Sequence, residues 1–178
     1  IRKALNSKQS FKQNFIVFRD GAYQLNPEFS YSIDTEEFEN LIEDAEKAKR
    51  AKDNETFRTN VEAAHQIYRG EFISGVYDDW AEERRIYYAE QHLRLLSALA
   101  KLSFKERKWS NALKYSKEIL REDPFREDAH RLVMKTLAAQ GKPAAVQKQF
   151  EKLAELLDKE LGVEPAPETF QTYQELLN

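Results

Sequence analysis

The run D-P-F-R-E-D-A-H-R-L-V-M-K-T-L-A-A-Q-G-K from Asp123, followed by E-L-G-V-E-P-A-P-E-T from Glu160, constrains the fold more than any other stretch. It spells out a helix–turn–helix unit with its own punctuation. Asp123 suits a helix cap, and Pro124 suits the first helical position, where a missing N–H costs nothing. Gly141 supplies a left-handed residue to close that helix, and Pro143 opens the next. Gly162 ends the second helix, and Pro165 and Pro167 stop it from continuing.

Similar units recur upstream. Asp34 with Glu37 reads as a capping box, with Phe38, Leu41, Ile42 and Ala45 at helical spacing behind it. Acids gather at the start of this helix (Glu36, Glu37, Glu39) and bases at its end (Lys47, Lys49, Arg50), as the helix dipole favours. Glu43–Lys47 and Glu46–Arg50 stand at i,i+4 spacing and predict a solvated, ion-paired face. Further apolar stripes predict helices over 54–68, 79–105, 109–121, 124–140, 143–161 and from 167 onward. That makes seven helices, the first six in antiparallel pairs.

The pairs resemble tetratricopeptide repeats. With Pro124 as the closing proline of one repeat, Ala112 falls on the small residue of its second helix, and Leu96, Leu99 and Ala100 on the packing face of its first. Any helical hairpin with short turns satisfies the looser spacing elsewhere.

Before the helices, the pattern is different. Phe11–Phe18 is aromatic and β-branched, Asp20-Gly21 is a tight-turn dipeptide, and Gly21–Leu25 resumes the apolar pattern. These residues predict a β-hairpin. Phe15, Ile16, Phe18, Tyr23 and Leu25 are too apolar to face water together, so the hairpin is expected to pack on the first helices. Ile1–Leu5 reads as the last turn of a preceding helix. Met134 is the only methionine, which points to Ile1 as an internal residue of a longer chain.

Composition excludes several classes. Apolar residues at 41% and charged residues at 33%, with only 5 Gly and 5 Pro, favour a helical globular protein over a disordered one. The absence of Cys removes disulfides and thiolate metal sites. No apolar stretch approaches a membrane span and no signal-peptide core opens the chain, so the cytoplasm is the expected compartment, with no membrane partner. Charge is uneven. Residues 1–27 hold Arg2, Lys3, Lys8, Lys12 and Arg19 against Asp20 alone, a surplus of four, so the net −3 of the whole leaves the remainder at −7. Only the basic head is suited to phosphate.

No catalytic constellation is present. His65, His92 and His130 lie on three different helices without metal-ligand spacing. His92 falls on the apolar stripe of the long helix and reads as a packed residue with one hydrogen bond. Serine-nucleophile and phosphate-loop patterns are missing, so no enzyme, cofactor or metal is expected. Trp80 and Trp109 stand near helix starts and read as core wedges, Trp80 sealing the joint before the long helix.

The ordered set D-P-x-x-E at Asp123, G-K at Gly141 and E-L-G-V-E-P-x-P-E-T at Glu160 resembles the bacterial transcriptional activator domain. That domain occurs in the Streptomyces-antibiotic-regulatory-protein family and in some large ATP-dependent regulators. Y-R-G-E-F-I at Tyr68–Ile73, then Trp80 with Arg84 and Arg85, resembles its first half. The resemblance runs from about Asp34 to Asn178. One departure is Ala166, where relatives often place Ser before the proline, and without that cap the last helix start is expected to lose about 1 kcal/mol.

The head, I-R-K-A-L, a loop, then F-I-V-F-R-D-G-A-Y-Q-L, resembles the end of an OmpR-type winged-helix domain. Gly21, Tyr23 and Leu25 fall on the wing's closing pattern and Ile16 on its buried strand position. The resemblance implies that Arg2 and Lys3 sit at the end of a recognition helix facing DNA, with Lys12 and Arg19 on or beside the wing facing phosphate. Nearly all of that family's three-helix core is missing here.

The expected architecture is therefore mostly α: about seven tetratricopeptide-like helices over 28–178, preceded by a recognition-helix end and wing at 1–27. The resemblances imply a transcriptional activator fragment. Its winged helix would bind promoter DNA, and its helical domain would contact the transcription machinery or other proteins and support a homodimer. The alternative is a repeat scaffold that binds a peptide or regulatory protein without DNA.

Overall fold

The computed structural model describes residues 14–177. The helix end expected at Ile1–Leu5, and Arg2, Lys3 and Lys12, lie outside the described residues. The chain divides into two compact units, Ile1–Glu37 and Phe38–Asn178.

In the first unit, β1 (Ile16–Arg19) pairs antiparallel with β2 (Ala22–Leu25), placing Ile16 opposite Leu25 and Arg19 opposite Ala22. Asp20 (φ 52°) and Gly21 (φ 80°) form the two-residue loop. Positive φ at both positions is what a twist-compatible hairpin turn requires, and Asp-Gly tolerates it. Asn26 locks the base of the hairpin. Its backbone N–H donates to the Phe15 carbonyl (2.8 Å), and its side-chain amide donates to the Asn14 carbonyl (3.1 Å). Its side-chain oxygen accepts from the Glu28 N–H (3.1 Å). Phe15 packs on Phe29, their ring centroids 4.8 Å apart. Phe18, Tyr23 and Leu25 stay exposed, so the hairpin's apolar residues are not covered as a set.

Seven helices follow among the described residues. They are α1 (Asp34–Arg50), α2 (Asn54–Ile67), α3 (Asp79–Lys105), α4 (Trp109–Glu122), α5 (Glu127–Ala139), α6 (Pro143–Leu161) and α7 (Pro167–Leu177). Each helix from α2 to α6 packs on its successor, and α7 also packs on α5. The core is continuous with this order. Phe38 and Ala45 of α1, Val61 and Ala64 of α2, and Tyr88, Leu95 and Leu99 of α3 form one cluster. Leu96, Ile119 and Ala129 carry a second cluster across α3, α4 and α5. Leu96, Leu99, Ala100 and Ala112 are all buried, as the repeat reading of this unit requires, and the small side chains let the helix axes approach closely.

Several local expectations change. The helix after Asp123 begins at Glu127, three residues later than expected from Pro124. Asp123 instead closes a turn: its carboxylate accepts from the Phe125 N–H (3.1 Å), and its carbonyl accepts from the Arg126 N–H (3.4 Å). A proline after Asp fits that turn as well as it fits a helix start. Asp34 bonds the adjacent Thr35 N–H (2.9 Å) and is itself the first helical residue, so the expected capping box is not the one formed. Lys47 pairs with Glu43 (3.0 Å) as expected, but Glu46 pairs with Lys49 (3.5 Å) rather than Arg50. Asp53 caps α2 through the Thr56 N–H (3.0 Å) and hydroxyl (2.7 Å). At the start of α7, the Ala166 N–H donates to the Glu127 carboxylate at 3.0 and 3.2 Å. An acid from α5 thus supplies the negative charge that the missing Ser would not.

Candidate nucleic-acid and partner interfaces

Of the four residues that the winged-helix resemblance places at DNA, only Arg19 is among the described residues. It ends β1, is exposed, and stands beside the Asp20-Gly21 turn. No ion pair among the described residues engages it. A cation at a hairpin tip, free of local carboxylate bonds, can reach a phosphate without first breaking a contact.

The second surface is a groove of about 860 Å³ walled by α1, α2 and α3, with the start of α5 at one end. Its floor is apolar, with Ile42, Phe57, Leu95, Ala98 and Leu102 lining it. Arg94, Lys101 and Lys105 line it from α3. These three are exposed and make no ion pair among the described residues. The other charges lining the groove neutralise one another. Lys49 pairs with Glu46 (3.5 Å), and Arg126 binds Asp128 in a fork at 2.9 and 3.0 Å. That fork holds the Asp128 carboxyl below its usual value, with Lys101 adding a weaker attraction.

A line of titratable groups crosses the interface of α2, α3 and α4. His65 Nδ1 and His92 Nε2 lie 3.1 Å apart, so one donates to the other. The outer nitrogens face carboxylates: His65 Nε2 lies 4.0 Å from Glu118 and His92 Nδ1 3.3 Å from Glu122. The second approach is not aligned as a hydrogen bond. The Tyr68 ring stacks on His92 at 4.0 Å, and Tyr115 meets His65 edge-on. Burial lowers His92 to about 4, and the nearby His65 pushes in the same direction. Burial likewise lowers His65 and raises Glu122. His92 is thus packed, as the sequence predicts. His130 is satisfied on both sides. Its Nε2 donates to the Pro124 carbonyl (3.0 Å), which leaves Nδ1 to accept from Gln149 (2.7 Å). Among the described residues, no group of acidic and imidazole side chains could hold a metal ion. Among them also, no helix is long and apolar enough to cross a membrane.

The connection between α2 and α3 carries two features that sequence reasoning missed. Arg85 threads into it, donating to the carbonyls of Phe72 (3.4 Å), Ile73 (3.2 Å) and Val76 (2.8 Å) while pairing with Glu71 and Glu82. Trp80, expected as a buried seal, is 54% exposed, and Tyr77 beside it in sequence is 90% exposed. Phe72 does the sealing instead, packed on Tyr88 at 5.1 Å with Trp80 edge-on at 6.4 Å. Trp109 meets the expectation, half-buried against Phe104 at 5.3 Å. Sequence reasoning did not single out the cations at 94, 101 and 105, whose common helical spacing was the available signal, and nothing in the pattern told that they border a groove.

A family model described as "Bacterial transcriptional activator domain" matches residues 33–177. The regulatory protein AfsR of Streptomyces griseus is 27% identical over 165 residues, covering 93% of this chain and 17% of that protein. AfsR of Streptomyces coelicolor is 26% identical over 162 residues, covering 91% of this chain and 16% of that protein. The chain thus spans about a sixth of the length of the curated relatives it matches. Among solved structures, Mycobacterium tuberculosis EmbR in complex with a low affinity phosphopeptide superimposes with a TM-score of 0.69 at 18% identity. The superposition covers 99% of this chain and 46% of that one, a likeness of fold.

Proposed function

The chain belongs to the family of bacterial transcriptional activator domains, whose members are regulatory rather than catalytic, and from that membership we propose that it is the activator part of a cytoplasmic transcriptional regulator. Residues 1–27 are the closing piece of a winged-helix module that binds promoter DNA, and 28–178 are the domain that contacts the transcription machinery or another protein. The observation that carries this reading is the family match over 33–177 directly behind a tight two-residue hairpin. Exposed Arg19 ends β1 beside the hairpin's turn, where the resemblance to a wing puts a phosphate-facing cation. In this reading Arg2 and Lys3 lie at the end of the recognition helix, and Lys12 joins Arg19 at phosphate. A homodimer would place two such modules on paired half-sites.

Phosphate contacts position a reader, whereas base contacts specify the sequence. The 178-residue chain should therefore bind DNA weakly and without sequence preference, and a longer protein carrying the complete winged helix should footprint its own upstream region. In that longer protein, Lys12→Ala and Arg19→Ala should weaken binding about equally on all sequences and flatten its salt dependence. Absence of a footprint, or full affinity in both variants, would favour the scaffold that binds a peptide without DNA.

A further inference from the structure

We propose that the groove between α1, α2 and α3 is a docking site for a short acidic segment of another protein, one that carries large apolar side chains among its Asp and Glu residues. The inference deepens the reading of 28–178 as a protein-contact domain and rests on that reading.

Arg94, Lys101 and Lys105 sit at i, i+7 and i+11 of α3, close to whole helical turns, so all three border the groove. At 1.5 Å per residue the rank extends about 16 Å along the helix. Each of these side chains is exposed and lacks an ion pair among the described residues, whereas the anions lining the groove, Glu46 and Asp128, are already engaged by Lys49 and Arg126. The uncompensated charge of the groove is therefore positive, on a chain whose net charge is −3. A ligand that complements it must be acidic.

The floor decides what kind of acid. Ile42, Phe57, Leu95, Ala98 and Leu102 line it, and Leu95 joins the main core cluster. Such a surface gains from covering by apolar side chains, which a sugar–phosphate chain lacks. A long polyanion would also run past Glu43 and Asp44 on the exposed face of α1, outside the groove. A short segment avoids them, and a volume of about 860 Å³ accommodates one. Gln91, Asn54 and Ser97 also line the groove and offer side-chain partners to a peptide backbone.

The test is an array of random-sequence peptides probed with the labelled chain, at low and at high salt. Bound sequences should be enriched in Asp and Glu interspersed with Leu, Ile, Phe or Trp, and the signal should weaken at high salt. A triple variant, Arg94→Gln, Lys101→Gln, Lys105→Gln, should lose about tenfold in affinity for the selected peptides, and its charge-reversed counterpart (each to Glu) should lose binding altogether. Lys114→Glu with Lys117→Glu on α4, outside the groove, should change nothing. Unchanged thermal melting of each variant ties a loss to the groove rather than to unfolding. The proposal is overturned if no acidic preference emerges, if the triple variants bind as the parent does, or if oligothymidylate competes as tightly for the same three residues. A negative result here, alongside an intact promoter footprint by the longer protein, would remove the groove and leave the regulator reading standing.

Discussion

At the scale of single residues, the most consequential group is His92. Its ring stacks on Tyr68 and faces His65 from α2 and Glu122 from α4. Glu118 and Lys114 of α4 act on it through His65. Burial, with the neighbouring His65 acting in the same direction, brings it from the usual 6.5 to about 4. A base whose folded-state value is depressed binds its proton more readily when unfolded. The His92 contribution is therefore constant above about pH 6.5 and falls as pH drops toward 4, by on the order of 3 kcal/mol at most. His65 and His130, also lowered by burial, add to the fall, and Glu122, raised by burial, opposes it. His92→Gln should flatten the drop in melting midpoint between neutral and acid pH, whatever it does to the midpoint at neutrality. Equal slopes in parent and variant would assign the sensitivity elsewhere. The packing of His92 was legible from its place on the stripe. The link to His65 was not, because it depends on the rotation and register with which two successive helices pack, set by an irregular connection between them.

At the scale of elements, legibility followed the punctuation. The limits of α3 and α6 agree with the sequence, since Pro143 opens α6 and Gly162, at φ 66°, closes it. Asp123-Pro124 misled because the same dipeptide initiates a turn as readily as a helix, and only the surrounding packing selects between them. The connection between α2 and α3 was the least legible. Gly70 and Gly75 both take positive φ there, and no periodicity describes its path. One side chain holds it. Arg85 is 10% exposed, and its guanidinium satisfies carbonyls that have no helix or sheet to pair with. Arg85→Ala should cost roughly 1–2 kcal/mol in urea unfolding, because partly buried carbonyls lose charged donors. Arg85→Lys should recover less than half, since an ammonium cannot fan out to three carbonyls. Full recovery with Lys would mean that charge alone, rather than the forked geometry, orders the connection.

At the scale of the molecule, α1 to α7 assemble as tetratricopeptide-like hairpins, each burying its stripe against the next, and the exposed faces are left to other contacts. Two of those faces are unlike the rest: the groove with its cationic rank, and the connection that exposes Tyr77 and Trp80. Neither was visible as a surface in the sequence. Whether a stripe of cations or an aromatic lies in a groove, on a rim or in the core depends on which helices stand beside it, and that is set by the whole stack. The same separation of faces underlies the functional account. The residues assigned to phosphate lie in 1–27 and the protein-contact surfaces in the helical domain, so DNA binding and activation should be separable. The direct measurement is promoter occupancy and transcript output, recorded together in a longer protein that carries the complete winged helix, with Arg94, Lys101 and Lys105 or Tyr77 and Trp80 substituted. The account predicts that at least one of these two sets lowers transcription severalfold while occupancy stays at the parent level. Transcription that stays at the parent level in both sets, or falls only in proportion to lost occupancy, would contradict it.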